Sequence, residues 1–306
     1  MVEEELAAWC RRWLGAEPAR VLFRSGYLSQ VTGLRLADGR DVVVKARPPA
    51  ARLAGCLALQ TALAGAGFPC PRPLAGPAPL GGLAATAEAL IPGGELLAPG
   101  PGAAGRFAAL LAELVRLAPG PASLPTLAPP PPWAAWDHAG RGLWPAPDDR
   151  QGDLNDHPGP PWLDRVAAGA RARLAELRLP PVAGHADWES QNLRWAGGRP
   201  LAVHDWDSAV AQPEAVVAGL ASAVWPAAGR PEEAASVEQS EQFLDAYAQA
   251  RGRRWTPAER RACWAAGLWV RAFNAKKQRL GGGGPQLDRL AGEAPERAAR
   301  AGIGTA

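Results

Sequence analysis

Residues 185–207 read HADWESQNLRWAGGRPLAVHDWD, which gathers His185, Asp187, Glu189, Asn192, His204, Asp205 and Asp207 into one short stretch of a chain that is only 21% charged. Leu193 and Trp195 alternate with polar neighbours, Gly197-Gly198 is a two-residue hairpin signal, and Leu201 and Val203 alternate again. A hairpin closed at those glycines sets Asn192 opposite Val203, with Asp205 two residues further along, about 6–7 Å by strand rise. An amide oxygen and a carboxylate converging beside Asp187 make a small all-oxygen site, which suits Mg²⁺ better than Zn²⁺. Asp187 precedes the hairpin, so it is free to face a substrate hydroxyl as a general base.

Three upstream features must meet that site. Lys45 ends the apolar run VVVK, so its ammonium can leave a sheet towards a polyphosphate. Ser25-Gly26-Tyr27-Leu28-Ser29 is a turn able to lie over phosphates, and Glu88-Ala89-Leu90 precedes Pro92-Gly93-Gly94, a hinge signal. The elements around them follow from periodicity. Residues 2–14 form an amphipathic helix, residues 20–46 a three-stranded antiparallel meander turning at Ser25-Gly26 and Asp38-Gly39, and residues 50–66 a helix that packs on the sheet. A strand at 83–91 leads to the hinge. Beyond it, 106–117 and 162–177 are helical, the Pro- and Trp-rich segment 118–161 is loop, and helices start at Pro213, Pro231, Pro257 and Pro285. The expected architecture is α+β in two lobes, a nucleotide-binding lobe at 1–91 and a larger, mainly helical lobe at 92–306.

With these residues in place, the sequence resembles the aminoglycoside phosphotransferase and choline kinase superfamily, small-molecule kinases with a protein-kinase-like fold. The resemblance spans about residues 20–210 and is carried by His185-Ala-Asp187 with Asn192 five residues on, by Val203-His-Asp205-Trp206-Asp207, and by the phrases PCPRPL and AEALIPGG. It implies ATP, or GTP, with Mg²⁺; Asp187 as catalytic base; Asn192 and Asp205 as metal ligands; and Lys45 on the phosphates. It also implies that Ser25, Gly26 and Ser29 lie over the phosphates, that the backbone of Glu88, Ala89 and Leu90 grips the base, and that Asp207 is supporting. His185 is expected to fix the catalytic loop through ring hydrogen bonds. The chain departs from the family in two places. The helix glutamate that pairs with the lysine falls at Cys56, with Gln60 the one long polar side chain nearby, and the phosphate turn holds one glycine.

Residues 145–164 carry Asp148, Asp149, Asp153, Asp156 and Asp164 against Arg150, an acidic wall for a cationic substrate, to which Glu232, Glu233, Glu238, Glu241 and Asp245 can add. Glu189 is expected to face solvent, and Trp188, Trp195 and Trp206 to pack. The net charge of +3, with arginines spread along the chain, argues against a nucleic-acid partner. Cys10, Cys56, Cys70 and Cys263 have no paired spacing, and neither a leader nor an apolar run near twenty residues is found, so a cytoplasmic monomer or homodimer with reduced thiols is expected. The acceptor is expected to be a cationic antibiotic, an aminoglycoside or basic cyclic peptide, whose phosphorylation confers resistance. The alternatives are a metabolite kinase acting on a sugar, choline or amino alcohol, a phosphohydrolase using His185, Asp187, His204 and Asp205 on a transition metal, and a degenerate kinase fold without catalysis.

Overall fold

The computed structural model describes residues 3–149, 151–228, 233–280, 282 and 284–304; Arg150, Pro231 and Glu232 lie outside them. Period-two alternation organises the N-terminal part. In β3 (Asp41–Arg47), Val42, Val44 and Ala46 enter a core, which leaves Val43, Lys45 and Arg47 on the opposite face. β1 (Pro18–Ser25), β2 (Gln30–Leu36), β3, β5 (Leu83–Ala89) and β4 (Pro73–Leu80) follow one another across a five-stranded antiparallel sheet. The expected meander is its first three strands. β4, PLAGPAPL, was not legible as a strand because its prolines cannot donate to a ladder, and it occupies an edge, where that loss is tolerated.

The helix covering the apolar face is α1 (Glu3–Leu14), whose Leu6, Trp9, Cys10 and Leu14 join Leu34, Leu36, Val42, Val44, Ala85 and Ala87 in one core. α2 (Arg52–Gly65) packs on the sheet as expected, on the face of Lys45 and Glu88, and sends Cys56, Leu59 and Leu63 into the larger core of the C-terminal part. Gly55 allows this approach, since a Cβ there would stand 2.4 Å from the Thr126 carbonyl oxygen. α2 is therefore wedged between the polar face of the sheet and the body of the molecule.

That body contains α3 (Ala103–Leu117), α4 (Pro161–Ala175), α5 (Glu214–Val224), α6 (Val237–Ala250), α7 (Pro257–Arg279) and α8 (Pro285–Ala301). Proline stands at the first turn of α4, α7 and α8, where its missing N–H costs nothing. α6 starts from a capping box of Ser236 with Gln239. Two short antiparallel pairs carry the site: β6 (Pro181–His185) with β9 (Ala209–Pro213), and β7 (Leu193–Ala196) with β8 (Arg199–Val203). The hairpin register differs from the sequence expectation. Pro200 faces Trp195 but Ala202 faces Arg194, so Leu201 is bulged beside a proline that has no N–H to give. Asn192 consequently lies opposite His204, whose N–H donates to the Asn192 carbonyl at 2.8 Å, and Asp205 follows one residue sooner than expected. Among the described residues, no helix is long and apolar enough to cross a membrane.

Candidate active site

A cleft of about 780 Å³ lies between the β1–β2 turn and the helical body. Its floor is set by His185 at the end of β6, fully buried between the ring edges of Trp188 and Trp206. His185 Nδ1 accepts the Asp187 N–H at 3.2 Å and Nε2 stands 3.0 Å from the His204 carbonyl, so the ring proton belongs on Nε2. Burial lowers this imidazole to a pKa of about 4, and it is neutral at physiological pH. With both nitrogens used, His185 is not free to bind a metal. Among the described residues, no group of three or more His, Cys, Asp or Glu side chains is arranged to hold one, so the phosphohydrolase alternative loses its ligand set.

Asp187 lines the cleft, its Oδ2 accepting from Asn192 Nδ2 at 2.7 Å; desolvation raises its pKa to about 6 against that hydrogen bond. The same amide nitrogen reaches the Asp187 carbonyl at 2.9 Å, which leaves the Asn192 amide oxygen unspent. Across the strand end, Asp205 adopts φ 64° and ψ 48°, the one left-handed non-glycine residue among those described. This conformation costs about 1–2 kcal/mol for an L-residue and is tolerated best by Asp and Asn. Burial, then the charge of Asp207, pushes the Asp205 carboxyl well above its usual range. Asp207 is held low although burial opposes it, because Arg47 pairs with it from the sheet. The donor set at this end of the hairpin is a free amide oxygen and crowded carboxylates, which fits a hard divalent cation.

Lys45 faces this group from β3. Its Nζ lies 3.0 Å from Glu88 Oε1 on β5, with 15% and 9% of the two side chains exposed. Register explains the contact: Lys45 is opposite Thr86 and Val43 opposite Glu88, so the two are diagonal neighbours on one face. Burial alone would lower the lysine pKa, yet Glu88, Asp205 and Asp207 together hold it above its ordinary value. Of the backbone expected to grip a base at Glu88, Ala89 and Leu90, two N–H donors are engaged elsewhere. The Ala89 N–H donates to Arg72 O at 2.9 Å and the Leu90 N–H to Asp41 O at 3.0 Å, so both donors are spent inside the sheet, and the Glu88 side chain is turned to Lys45.

Ser25, Gly26 and Ser29 lie in the β1–β2 turn at the rim of the cleft. Gly26, at φ 149°, cannot be replaced without collision, since a Cβ would sit 1.9 Å from the Ser29 carbonyl oxygen. From the same turn, Tyr27 reaches across to Asp149 at 3.5 Å.

Of the expected acidic wall, Asp148 and Asp149 line the cleft, whereas Asp153 and Asp156 do not. Asp153 instead closes its own loop, accepting from the Asn155 N–H at 2.8 Å and from Asn155 Nδ2 at 2.7 Å. Asp149 is matched by Lys277 at 2.8 Å and Asp164 by Lys276 at 2.9 Å. On the helical surface Asp245 pairs with Arg260 at 2.9 Å, away from the cleft. Glu189, expected to face solvent, is half-buried in the cleft, and desolvation followed by the charge of Asp187 pushes its pKa well up. Sequence reading also missed Arg271, Asn274, Lys277 and Gln278 of α7, which line the far wall. Arg271, Asn274 and the Lys277-Gln278 pair recur at three- to four-residue spacing in the C-terminal half of α7, which was the available signal.

The family model described as the phosphotransferase enzyme family, APH, matches residues 20–263. No curated protein matches the chain significantly in sequence. Among solved structures, the amicoumacin kinase hAmiN in complex with AMP-PNP, Ca²⁺ and Ami is similar at 12% identity, covering 99% of this chain and 94% of that one with a TM-score of 0.63. A thermostable mutant of aminoglycoside phosphotransferase APH(4)-Ia, in ternary complex with ADP and hygromycin B, is 15% identical over 99% of both chains with a TM-score of 0.59. A choline/ethanolamine kinase family protein from Mesorhizobium loti is 17% identical, covering 95% of this chain and 93% of that one with a TM-score of 0.55.

Proposed function

Because the chain belongs to the APH phosphotransferase enzyme family, we propose that it transfers the γ-phosphoryl group of ATP to a hydroxyl of a small cationic molecule. The reading is carried by the convergence of Asp187, Asn192 and Asp205 at one end of the β7–β8 hairpin, with Lys45 facing them from the sheet. Solved structures of the same fold bind AMP-PNP or ADP, which supports nucleotide use. Lys45 and the β1–β2 turn hold the phosphates, and Asp187 orients the acceptor hydroxyl and takes its proton as the oxygen bonds to the γ-phosphorus and ADP leaves. Asn192 through its amide oxygen and Asp205 through its carboxylate are the residues that would hold Mg²⁺, which when bound neutralises phosphate charge. Asp207, paired with Arg47, stays ionised and helps to keep Lys45 charged.

The cationic acceptor is supported by Glu189, a desolvated carboxylate with Gln191 as its hydrogen-bond donor at 2.8 Å, and by Asp148 at the cleft. An ammonium beside Glu189 relieves its repulsion from Asp187. Antibiotics are one source of such a group, as amicoumacin and hygromycin B are for structures of this fold. A second reading, a metabolic amino alcohol or amino sugar, is favoured by the neutralisation of Asp149 and by the amides of Gln191, Asn274 and Gln278, which suit hydroxyls around a single positive charge. Purified protein assayed for Mg²⁺-dependent ATP consumption against cationic antibiotics, amino sugars and choline separates the two. Turnover with the antibiotics supports the first reading, turnover with the metabolites alone the second, and phosphate release that needs no ATP refutes both.

A further inference from the structure

We infer that Glu88 is the positioning residue for the phosphate-binding lysine, and that the carboxylate of the pair comes from the sheet, with α2 contributing only the Gln60 amide that braces it. This rests on the kinase reading and adds a residue to it. Lys45 and Glu88 sit on adjacent strands, β3 and β5, and face the same side of the sheet. The glutamate is itself braced: Gln60 Nε2 donates to Glu88 Oε2 at 2.9 Å and to the Pro71 carbonyl at 2.8 Å. Glu88 Oε1 is thereby left to the ammonium and Oε2 to the amide, a charge-assisted contact with both oxygens committed.

α2 has the opposite design from a helix that swings to deliver a carboxylate. It holds no acid, and Cys56 faces the small cavity shared by Lys45, Glu88 and Gln60. It is anchored to the body by Arg52, whose guanidinium donates to the Asp207 and Ala209 carbonyls, and by the close passage of Gly55 over Thr126. A helix fixed in this way has no second position to supply, and the ion pair does not need one. The lysine is oriented whether or not nucleotide is present.

The test is a double-mutant cycle with Lys45→Met and Glu88→Gln, reading kcat, the KM for ATP, and the Kd of a fluorescent ATP analogue with Mg²⁺. Thermal melts check the fold. The pairing predicts that Glu88→Gln lowers kcat about 10- to 100-fold while the Kd changes about threefold or less, because an unanchored lysine still attracts phosphate but no longer holds it in line. It also predicts that the double variant is no worse than Lys45→Met. In the Glu88→Gln background, Cys56→Glu returns a carboxylate to the same cavity and recovers about tenfold or more of the lost kcat. Losses that multiply, or a folded Cys56→Glu/Glu88→Gln protein with no recovery, overturn the positioning role. An inactive Lys45→Met beside a Glu88→Gln variant with wild-type kcat refutes the role of Glu88 alone. A Lys45→Met variant with wild-type turnover refutes the kinase reading and this inference with it.

Discussion

His185 makes the protein acid-labile by an amount that can be worked from its surroundings. The ring is fully buried, its two nitrogens are committed, and its pKa falls from 6.5 to about 4 on folding, with burial the main cause. A folded-state pKa below the unfolded one means that the unfolded chain binds the proton first, so the stability is complete above pH 6.5 and is lost as pH falls towards 4. At pH 7.5 neither form is protonated. At pH 5 the unfolded imidazole is about 1.5 units below its pKa while the folded ring is still neutral, and at about 1.36 kcal/mol per unit the loss is about 2 kcal/mol. Urea unfolding of wild type and His185→Gln at pH 7.5 and 5.0 isolates this contribution, because His204 and the cleft carboxylates titrate in both proteins. The wild type should lose about 2 kcal/mol more than the variant between the two pH values. Curves that shift by the same amount in both proteins would refute the account of a buried, neutral, fully bonded ring.

Asp187→Asn keeps the shape of the loop but removes the proton acceptor, and should lower kcat about 10²- to 10⁴-fold with the nucleotide Kd nearly unchanged, read by steady-state kinetics and fluorescence titration. Asp205→Asn suits the left-handed backbone whereas Asp205→Ala does not, so both should lose Mg²⁺-dependent activity but only the alanine variant should also melt earlier, by about 1 kcal/mol in chemical denaturation. Glu189→Gln should raise the KM of a cationic acceptor about tenfold and leave the KM for ATP alone, since the carboxylate lines the cleft within electrostatic reach of Asp187. All four thiols are buried, Cys10 raised to about 11 and Cys70 to about 12 by desolvation; a thiol reagent should therefore label the native protein slowly and all four positions after unfolding.

The hairpin of 193–203, the alternation of VVVKAR and the helices behind Pro213, Pro257 and Pro285 were visible as period and punctuation, because each depends on neighbours within a few residues. What escaped depended on long-range packing. β4 hides behind its prolines, and α2 carries apolar residues that would fit either core, so nothing local says which face of the sheet it covers. The slip at Leu201 moves Asp205 by one residue and follows from Pro200, a signal that was present but not weighed. The apparent gap opposite Lys45 is the sharpest case. The sequence shows Cys56 where a helix glutamate was wanted, and only the pairing of β3 with β5 reveals that Glu88 fills the place from another strand. The same limit applies to the acidic segment, where one loop sends Asp149 into the cleft and spends Asp153 on its own turn.

Transfer of label from γ-phosphate-labelled ATP to an isolated small-molecule acceptor, measured for wild type and Asp187→Asn side by side, bears most directly on the proposal that this cleft performs phosphoryl transfer with Asp187 as the base. The account predicts a labelled phosphate ester from the wild type, dependent on Mg²⁺, and at least about a hundredfold less from the variant. Labelled ester formed at the wild-type rate by Asp187→Asn would contradict it.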